Sequence, residues 1–268
     1  MIIEGLQSLL QDKTIFLIDG FYSLHNDISL AVKRTAANKL AARQMITAYR
    51  SAKILSKFPY VKGLTISGSL SKNYADENTD IDFFIITTAN RLWVARTVMH
   101  LYKKLTFLTG KQHCFCMNYY VDEAGLEIEE KNTFTAVEIS TLLPMYGEPV
   151  LDNFLQANAW VKSYYPMCET NTAAALVVKK GFFSRLFEKL FSTSIGEGLD
   201  NRLMKITERR WKKKADRNQK NNRGNALGMM VSKHCSKPNP KNFQEKVVKE
   251  FQSKVAALLQ PKKEMISV

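Results

Sequence analysis

This chain lacks long apolar runs. No stretch approaches the eighteen or so consecutive apolar residues that a membrane-spanning helix needs, so no transmembrane segment and no membrane partner is expected. Cysteine is sparse: only Cys114, Cys116, Cys168 and Cys235. Cys114 and Cys116 form a C-x-C with no second pair at zinc spacing, which argues against a cysteine metal site and for reduced thiols. The opening residues MIIEGLQSLLQDK carry no basic n-region and no small-residue cleavage site, so no signal peptide is expected. Together with the scattered cysteines this suggests a cytoplasmic protein. The four histidines, His25, His100, His113 and His234, are dispersed and fit no triad or zinc spacing, so each reads as structural. Acidic residues are also in short supply. There are 25 Asp and Glu against 39 Lys and Arg, a formal net charge of +14. Such a balance favours polyanionic partners: nucleic acid, nucleotide phosphates or an acidic membrane surface. It also suits plain solubility.

What is present is enough apolar material for a substantial core: 45% of 268 residues, enough for one large domain or two modest ones. Residues 2–10 read as a short helix. Asp19-Gly20 between two apolar runs then signals a hairpin, because both central turn positions need positive φ. Helix followed by hairpin resembles the back half of a winged helix; a small packing appendage is the alternative. Residues 29–58 read as one long helix ended by Pro59. Ala37, Ala41, Met45, Ala48, Ala52 and Leu55 form its apolar stripe, and Lys39, Arg43, Arg50, Lys53 and Lys57 its basic back. Val61–Ser67 and Phe83–Thr87 read as buried strands, 90–108 as a helix and 114–121 as a third strand. Beyond about 132 the pattern is mainly helical, with a last helix starting at Asn239-Pro240. The stretch 202–223 carries ten Lys/Arg and two Asp/Glu, a net +8, around Trp211. It reads as a polyanion contact or as an exposed helix end. Trp211 is a base-stacking platform in the first case and an apolar anchor in the second.

The most informative segment is SGSLSKNYADENTDID, Ser67 to Asp82. A Gly-Ser turn precedes two aspartates that alternate into an apolar strand. Asp80 and Asp82, two apart, should project from one face of that strand. Paired carboxylates on a rigid element suit Mg²⁺ or Mn²⁺. Gly68 removes a Cβ from the path of a phosphate, and Ser69 adds a hydroxyl and backbone N–H groups. Lys72, just beyond, is placed to reach a phosphate or to sit in solvent. Asp76 and Glu77 read as solvent-facing.

The spacing Gly68-Ser69, ten residues, Asp80-Ile81-Asp82 resembles the DNA polymerase beta-like nucleotidyltransferase superfamily. The segments FPYVKGLTISGSLSK, RLWVAR, CMNYYVDE, NTFTAVEISTLLPMYG and NAWVKSYYP are similar to bacterial nucleotidyltransferase-domain proteins with a winged-helix-like N-terminus and a helical C-terminal region. The resemblance implies an α/β (α+β) fold: a polymerase-beta-like core with a small mixed sheet and flanking helices. Its expected divisions are an appendage at 1–28, the core at 29–125 and a helical region at 126–268. It implies Mg²⁺-dependent transfer of a nucleoside monophosphate from a nucleoside triphosphate (NTP) to an acceptor hydroxyl. Asp80 and Asp82 would hold the metal, and Gly68, Ser69 and Lys72 would contact phosphates.

One departure stands out. Members of that superfamily usually place a third carboxylate on a neighbouring strand, where this chain has Asn118. A neutral amide binds Mg²⁺ weakly and cannot act as a base. Asp122, with the parity of Asn118 and four residues on, is the expected substitute as third catalytic carboxylate. Tyr119 and Tyr120 are candidates for stacking or for packing, and Glu138, in the helical pattern TAVEISTLL, for approach to the site. Two functions stay open. One is an enzyme whose acceptor is RNA or a small hydroxylated molecule. The other is a catalytically weak module that binds nucleotide or RNA through the same cleft and the basic stretch.

Overall fold

Two successive positive φ values, 49° at Asp19 and 78° at Gly20, make the first turn. This conformation matches the natural twist of two strands. It joins β1 (Phe16–Ile18) to β2 (Phe21–Ser23) in an antiparallel pair behind helix α1 (Ile2–Gln11), none of whose residues is buried. The computed structural model describes residues 2–110, 112–169, 172–173, 175–217, 229–238 and 243–259.

Helix α2 (Ile28–Leu55) starts where Asp27 accepts the Ser29 N–H at 2.9 Å. Its buried face is mostly alanine: Ala31, Ala37, Ala41, Ala48 and Ala52. Small side chains let the helix lie close to the sheet, while the five basic residues of its back are exposed. That sheet has six strands in the order β6-β3-β4-β5-β8-β7. They are β3 (Val61–Ile66), β4 (Asp82–Thr87), β5 (Cys116–Asp122), β6 (Leu143–Tyr146), β7 (Met229–Val231) and β8 (Cys235–Pro238). Among the described strands only β4 and β5 pair in parallel; the crossover between them contains α3 (Leu92–Thr106). The fold is therefore mixed α/β.

The strands β6, β7 and β8 come from the region expected to be helical. Pro144 in β6 and Pro238 in β8 hide those two, because proline normally argues against a strand; β6 lies at the sheet edge, where proline is tolerated. The helix start expected at Asn239-Pro240 lies outside the described residues, as does the end of the basic stretch beyond 217.

Alternation along the strands builds two cores. Leu64, Ile66, Phe83, Ile85, Met117 and Tyr120 pack on one face with the alanines of α2 and with Trp93 and Met99 of α3. Phe84, Ile86 and Val121 pack on the other against Ile139 of α4 (Thr133–Ser140) and Val150, Leu151 and Phe154 of α5 (Glu148–Ala157). Each large buried side chain contributes about 1.5–3 kcal/mol through removal from water.

Two carboxylates from elsewhere satisfy the start of α3. Asp122 accepts the Asn90 N–H at 2.7 Å, and Asp200 of α7 (Ser194–Asp216) accepts the Val94 N–H at 2.8 Å. Arg91 completes the junction by donating to the carbonyls of Phe191, Ser192 and Thr193, each at 3.0 Å. Asp200 is only 1% exposed. Burial pushes its carboxyl up to about 6, against the lowering effect of the helix N–H groups and Arg91. Between pH 4 and 6 the folded protein holds a proton that the unfolded chain releases. Stability from this group therefore falls as pH rises through that window, by about 2–3 kcal/mol in all. In Asp200→Asn, which keeps the acceptor for Val94, denaturant midpoints measured from pH 4 to 6 should lose this component of their slope. An unchanged slope in the variant would contradict the assignment.

Candidate functional site

The Gly-Ser turn follows β3 directly. The Ser67 N–H bonds the Asp82 carbonyl at 2.9 Å, so the turn leaves the sheet beside the first residue of β4. Gly68 then takes φ +70°, a conformation that L side chains rarely adopt. The space beside it is not empty. A Cβ on Gly68 would lie 2.6 Å from Asp82 Oδ2. The glycine is thus required by the neighbouring carboxylate as well as by the backbone, and the turn and the aspartate form one unit.

The residues between the turn and Asp80 have their own logic. Leu70, Ala75 and Ile81 are buried and pin the segment to the core. A short 3₁₀ turn, Leu70–Lys72, ends at Asn73 in the left-handed region. Asp76 accepts the Asn78 N–H and the Thr79 hydroxyl, closing a self-contained turn. Lys72 does not extend into solvent: its Nζ donates to the Gly68 carbonyl at 2.9 Å and pairs with Glu138 at 3.0 Å. The Ser71 hydroxyl donates to the same carbonyl at 2.8 Å. Ser69 makes no capping bond with its side chain, and it faces the cleft described next.

That cleft has a volume of about 1220 Å³. Ser67, Gly68, Ser69, Asp80 and Asp82 line it, together with Lys72, Cys116, Asn118, Tyr119 and Glu138. Its apolar part is made by Phe84, Ile128, Ile139, Leu142 and Phe154. Trp211 and Lys214 of α7 and Lys237 of β8 also border it. Lys214 Nζ lies 5.4 Å from the centroid of the Trp211 ring and Lys237 Nζ 5.2 Å from that of Tyr119. Lys237 also pairs with Glu130.

Asn118 sits where β5 bulges. Met117 pairs with Phe83 and Tyr119 with Phe84, leaving Asn118 as the extra residue. Its Nδ2 donates to Asp82 Oδ1 at 2.5 Å. Its Oδ1 accepts from the Cys116 thiol at 3.1 Å. Burial, reinforced by the charge of Asp82, pushes that thiol up to about 12, so at neutral pH it is a donor. A chain of two hydrogen bonds therefore runs from Cys116 through Asn118 to Asp82 and fixes the amide orientation.

The same bulge corrects the expectation for Asp122. Without it Asn118, Tyr120 and Asp122 would share a face. With it Asn118 and Tyr119 turn toward the cleft, while Tyr120 enters the opposite core. Asp122 is fully buried at the far end of β5, opposite Thr87, whereas Cys116 is opposite Asp82. That is five residues along β4, about 17 Å. Asp122 accepts the Asn90 and Ala124 N–H groups and lies 2.9 Å from His234 Nδ1. It does not join Asp80 and Asp82.

Two neighbours of the site, His113 and Cys116, carried no usable signal in the sequence, whereas Trp211, a candidate for stacking or anchoring, does border the cleft. His113 Nδ1 lies 2.8 Å from Asp80 Oδ1, because the Ile81–His113 backbone bond extends the β4–β5 ladder past its ends. Cys116 arrives through the β4–β5 pairing that sets it opposite Asp82, and the Trp211–Lys214 pair through packing of α7 at the cleft border. Glu138, carried by α4, does approach the site and lines the cleft. His100 is buried against Tyr120, and burial pushes it down to about 3.

Asp80 and Asp82 do not form a closed metal centre. Among the described residues no group of three or more His, Cys, Asp or Glu side chains is arranged to hold a metal ion. Two carboxylates beside an open cleft fit a different situation. Mg²⁺ is commonly held by one or two carboxylates and completed by substrate phosphates and water. No family model, curated protein or solved structure matches this chain.

The Gly68–Asp82 contact is testable as a coupling. Gly68→Ala should destabilise by about 1–2 kcal/mol from the positive φ, with a further cost from the contact. In Asp82→Ala the nearest atom becomes the residue 82 Cβ at 3.4 Å, an ordinary contact. The cost of Gly68→Ala should then drop by at least about 0.5 kcal/mol in a urea double-mutant cycle. Strict additivity would show that the two residues do not meet.

Proposed function

We propose that this cleft binds a nucleoside triphosphate as its Mg²⁺ or Mn²⁺ chelate and transfers the nucleoside monophosphate to an acceptor hydroxyl. The observation that carries this reading is the packing of Asp82 against Gly68 on the cleft rim, with Asp80 and Lys72 alongside. The fold would be that of the polymerase-beta-like nucleotidyltransferases, a finer description than mixed α/β. Phosphoryl-group chemistry asks the protein mainly for position and charge neutralisation. Asp80 and Asp82 would hold the cation, which neutralises phosphate charge. Ser69, unused as a cap, would face a phosphate oxygen. In the step itself the acceptor oxygen bonds to Pα, the bond from Pα to the bridging oxygen breaks, and pyrophosphate leaves.

The acceptor proton needs a base. Asp122 is too distant, and Asn118 has no basic group. Of the other carboxylates on the cleft, Asp76 is engaged in its own turn, which leaves Glu138, held by Lys72, as the proposed base. Asn118 favours a second reading, a catalytically weak module that binds nucleotide or RNA. Its amide already satisfies one oxygen of Asp82, and Trp211 and Lys214 join the cleft to the basic surface of α7. In the first reading the acceptor is RNA or a small hydroxylated molecule; in the second the ligand is nucleotide or RNA.

Calorimetry separates these readings from no binding at all. Asp80→Asn with Asp82→Asn should abolish Mg²⁺-dependent NTP binding while circular dichroism is unchanged. Equal affinity in that double variant would remove the site. Asn118→Asp places a second carboxylate against Asp82, so it should destabilise the metal-free protein and bind Mn²⁺ more tightly. With labelled NTP and mixed RNA or small polyol acceptors, Glu138→Gln should lower turnover at least tenfold with little change in NTP affinity. Binding without transfer to any acceptor, in wild type and Asn118→Asp alike, would establish the binding module instead. For RNA, charge reversal at Arg209, Arg210, Lys212 and Lys213 should weaken binding and flatten its salt dependence.

A further inference from the structure

At the end of the sheet opposite the cleft lies a helix that faces two ways. Helix α6 (Phe182–Leu190) is anchored beside the start of β3: Glu188 Oε1 accepts the Tyr60 N–H at 2.6 Å, and Phe187 and the following Phe191 pack on Tyr60, Val94 and Ala95. Its remaining apolar side chains are not buried. Phe182 is 70% exposed, Phe183 84%, Leu186 42% and Leu190 62%. At 100° per residue these four fall within an arc of about 100°. Val177 and Ile195 at either side of the helix are also exposed, at 99% and 71%. Arg185 and Lys189 are exposed beside this arc, and Lys179 is exposed just before the helix. The one acid of the helix, Glu188, is turned inward and held by Lys180 at 2.5 Å. The outward side of 177–190 thus presents aromatic and aliphatic groups edged only by cations.

We propose that α6 is an interfacial helix that seats the protein on an anionic lipid bilayer. Phenylalanine and leucine on one side with Lys and Arg beside them is the pattern of a helix lying in the headgroup plane. It is a surface contact: among the described residues no helix is long and apolar enough to cross a membrane. Charge decides between occupants. A second copy docking on the same patch would bring Lys179, Arg185 and Lys189 against their own mates, which is repulsive. An anionic surface attracts all three, and the formal net charge of +14 adds a long-range pull. The cleft, at the other end of β4, stays open to solvent and to its substrates in this orientation.

Co-sedimentation tests this with vesicles of phosphatidylcholine alone and of phosphatidylcholine mixed equally with phosphatidylglycerol. The protein should pellet with the mixed vesicles, weakly or not at all with the neutral ones, and less as salt rises. Phe182→Ser with Phe183→Ser should reduce the bound fraction at least tenfold. Arg185→Glu with Lys189→Glu should abolish the preference for anionic lipid. All four side chains are exposed, so circular dichroism and NTP affinity should not change. Absence of pelleting with anionic vesicles, or pelleting of both variants undiminished from that of the unaltered protein, overturns the proposal. A concentration-dependent dimer in sedimentation velocity that the phenylalanine variant dissolves would also overturn it, because a second copy would then cover the patch.

Discussion

A carboxylate pressed against a glycine is the contact on which the cleft depends. Asp82 opens β4, and its side chain occupies the space where Gly68 would otherwise carry a Cβ. This fixes the turn after β3 to the strand that follows it. It also fixes which way the carboxylate points. The Gly68 carbonyl, turned the other way, takes hydrogen bonds from Ser71 and Lys72, and Lys72 carries the connection on to Glu138 of α4. Asn118 supplies the other restraint on Asp82, from β5. A rigid charged group at the rim of a cleft of about 1220 Å³ is the result. The chemistry proposed for the cleft follows from that rigidity, because a cation–phosphate pair is bound by preplaced charge and not by a group that must first be oriented.

The opposite end of the same strands has a different economy. Asp122, Asp200 and Arg91 are spent on holding the start of α3 and the junction of α6 with α7. These groups are buried, and their charges are structural. The protein thus keeps cleft-lining carboxylates at one end of β4 while α6 presents an apolar face at the other. A ligand in the cleft and a surface under α6 need not compete.

The parts legible in the sequence were those set by local rules. Gly-Ser, the polar connection and Asp-x-Asp lie within sixteen residues, and their placement on one cleft is readable because turn chemistry and strand alternation act over that range. The long α2, with its alanine stripe, is readable for the same reason. The failure at Asp122 is equally specific. Parity along β5 assumed a regular strand, and a single extra residue at Asn118 reversed it. Nothing in CMNYYVD announces a bulge. Pro144 and Pro238 concealed two strands that only sheet pairing reveals. Cys116 and Trp211 reach the cleft, and His113 reaches Asp80 at its rim, through contacts that no spacing encodes. Lys72 lay between two readings, phosphate contact and solvated loop residue; the structure sets aside the second, because its ammonium borders the cleft held by Gly68 and Glu138.

The central claim is that the Gly68–Asp82 unit receives a metal–triphosphate. A crystal structure of the protein with Mn²⁺ and a non-hydrolysable NTP analogue tests it most directly. The account predicts an anomalous manganese peak bound by the carboxylates of Asp80 and Asp82, with phosphate oxygens beside Gly68 and Ser69. Nucleotide bound on the basic face of α7 with no manganese at the two aspartates would contradict it.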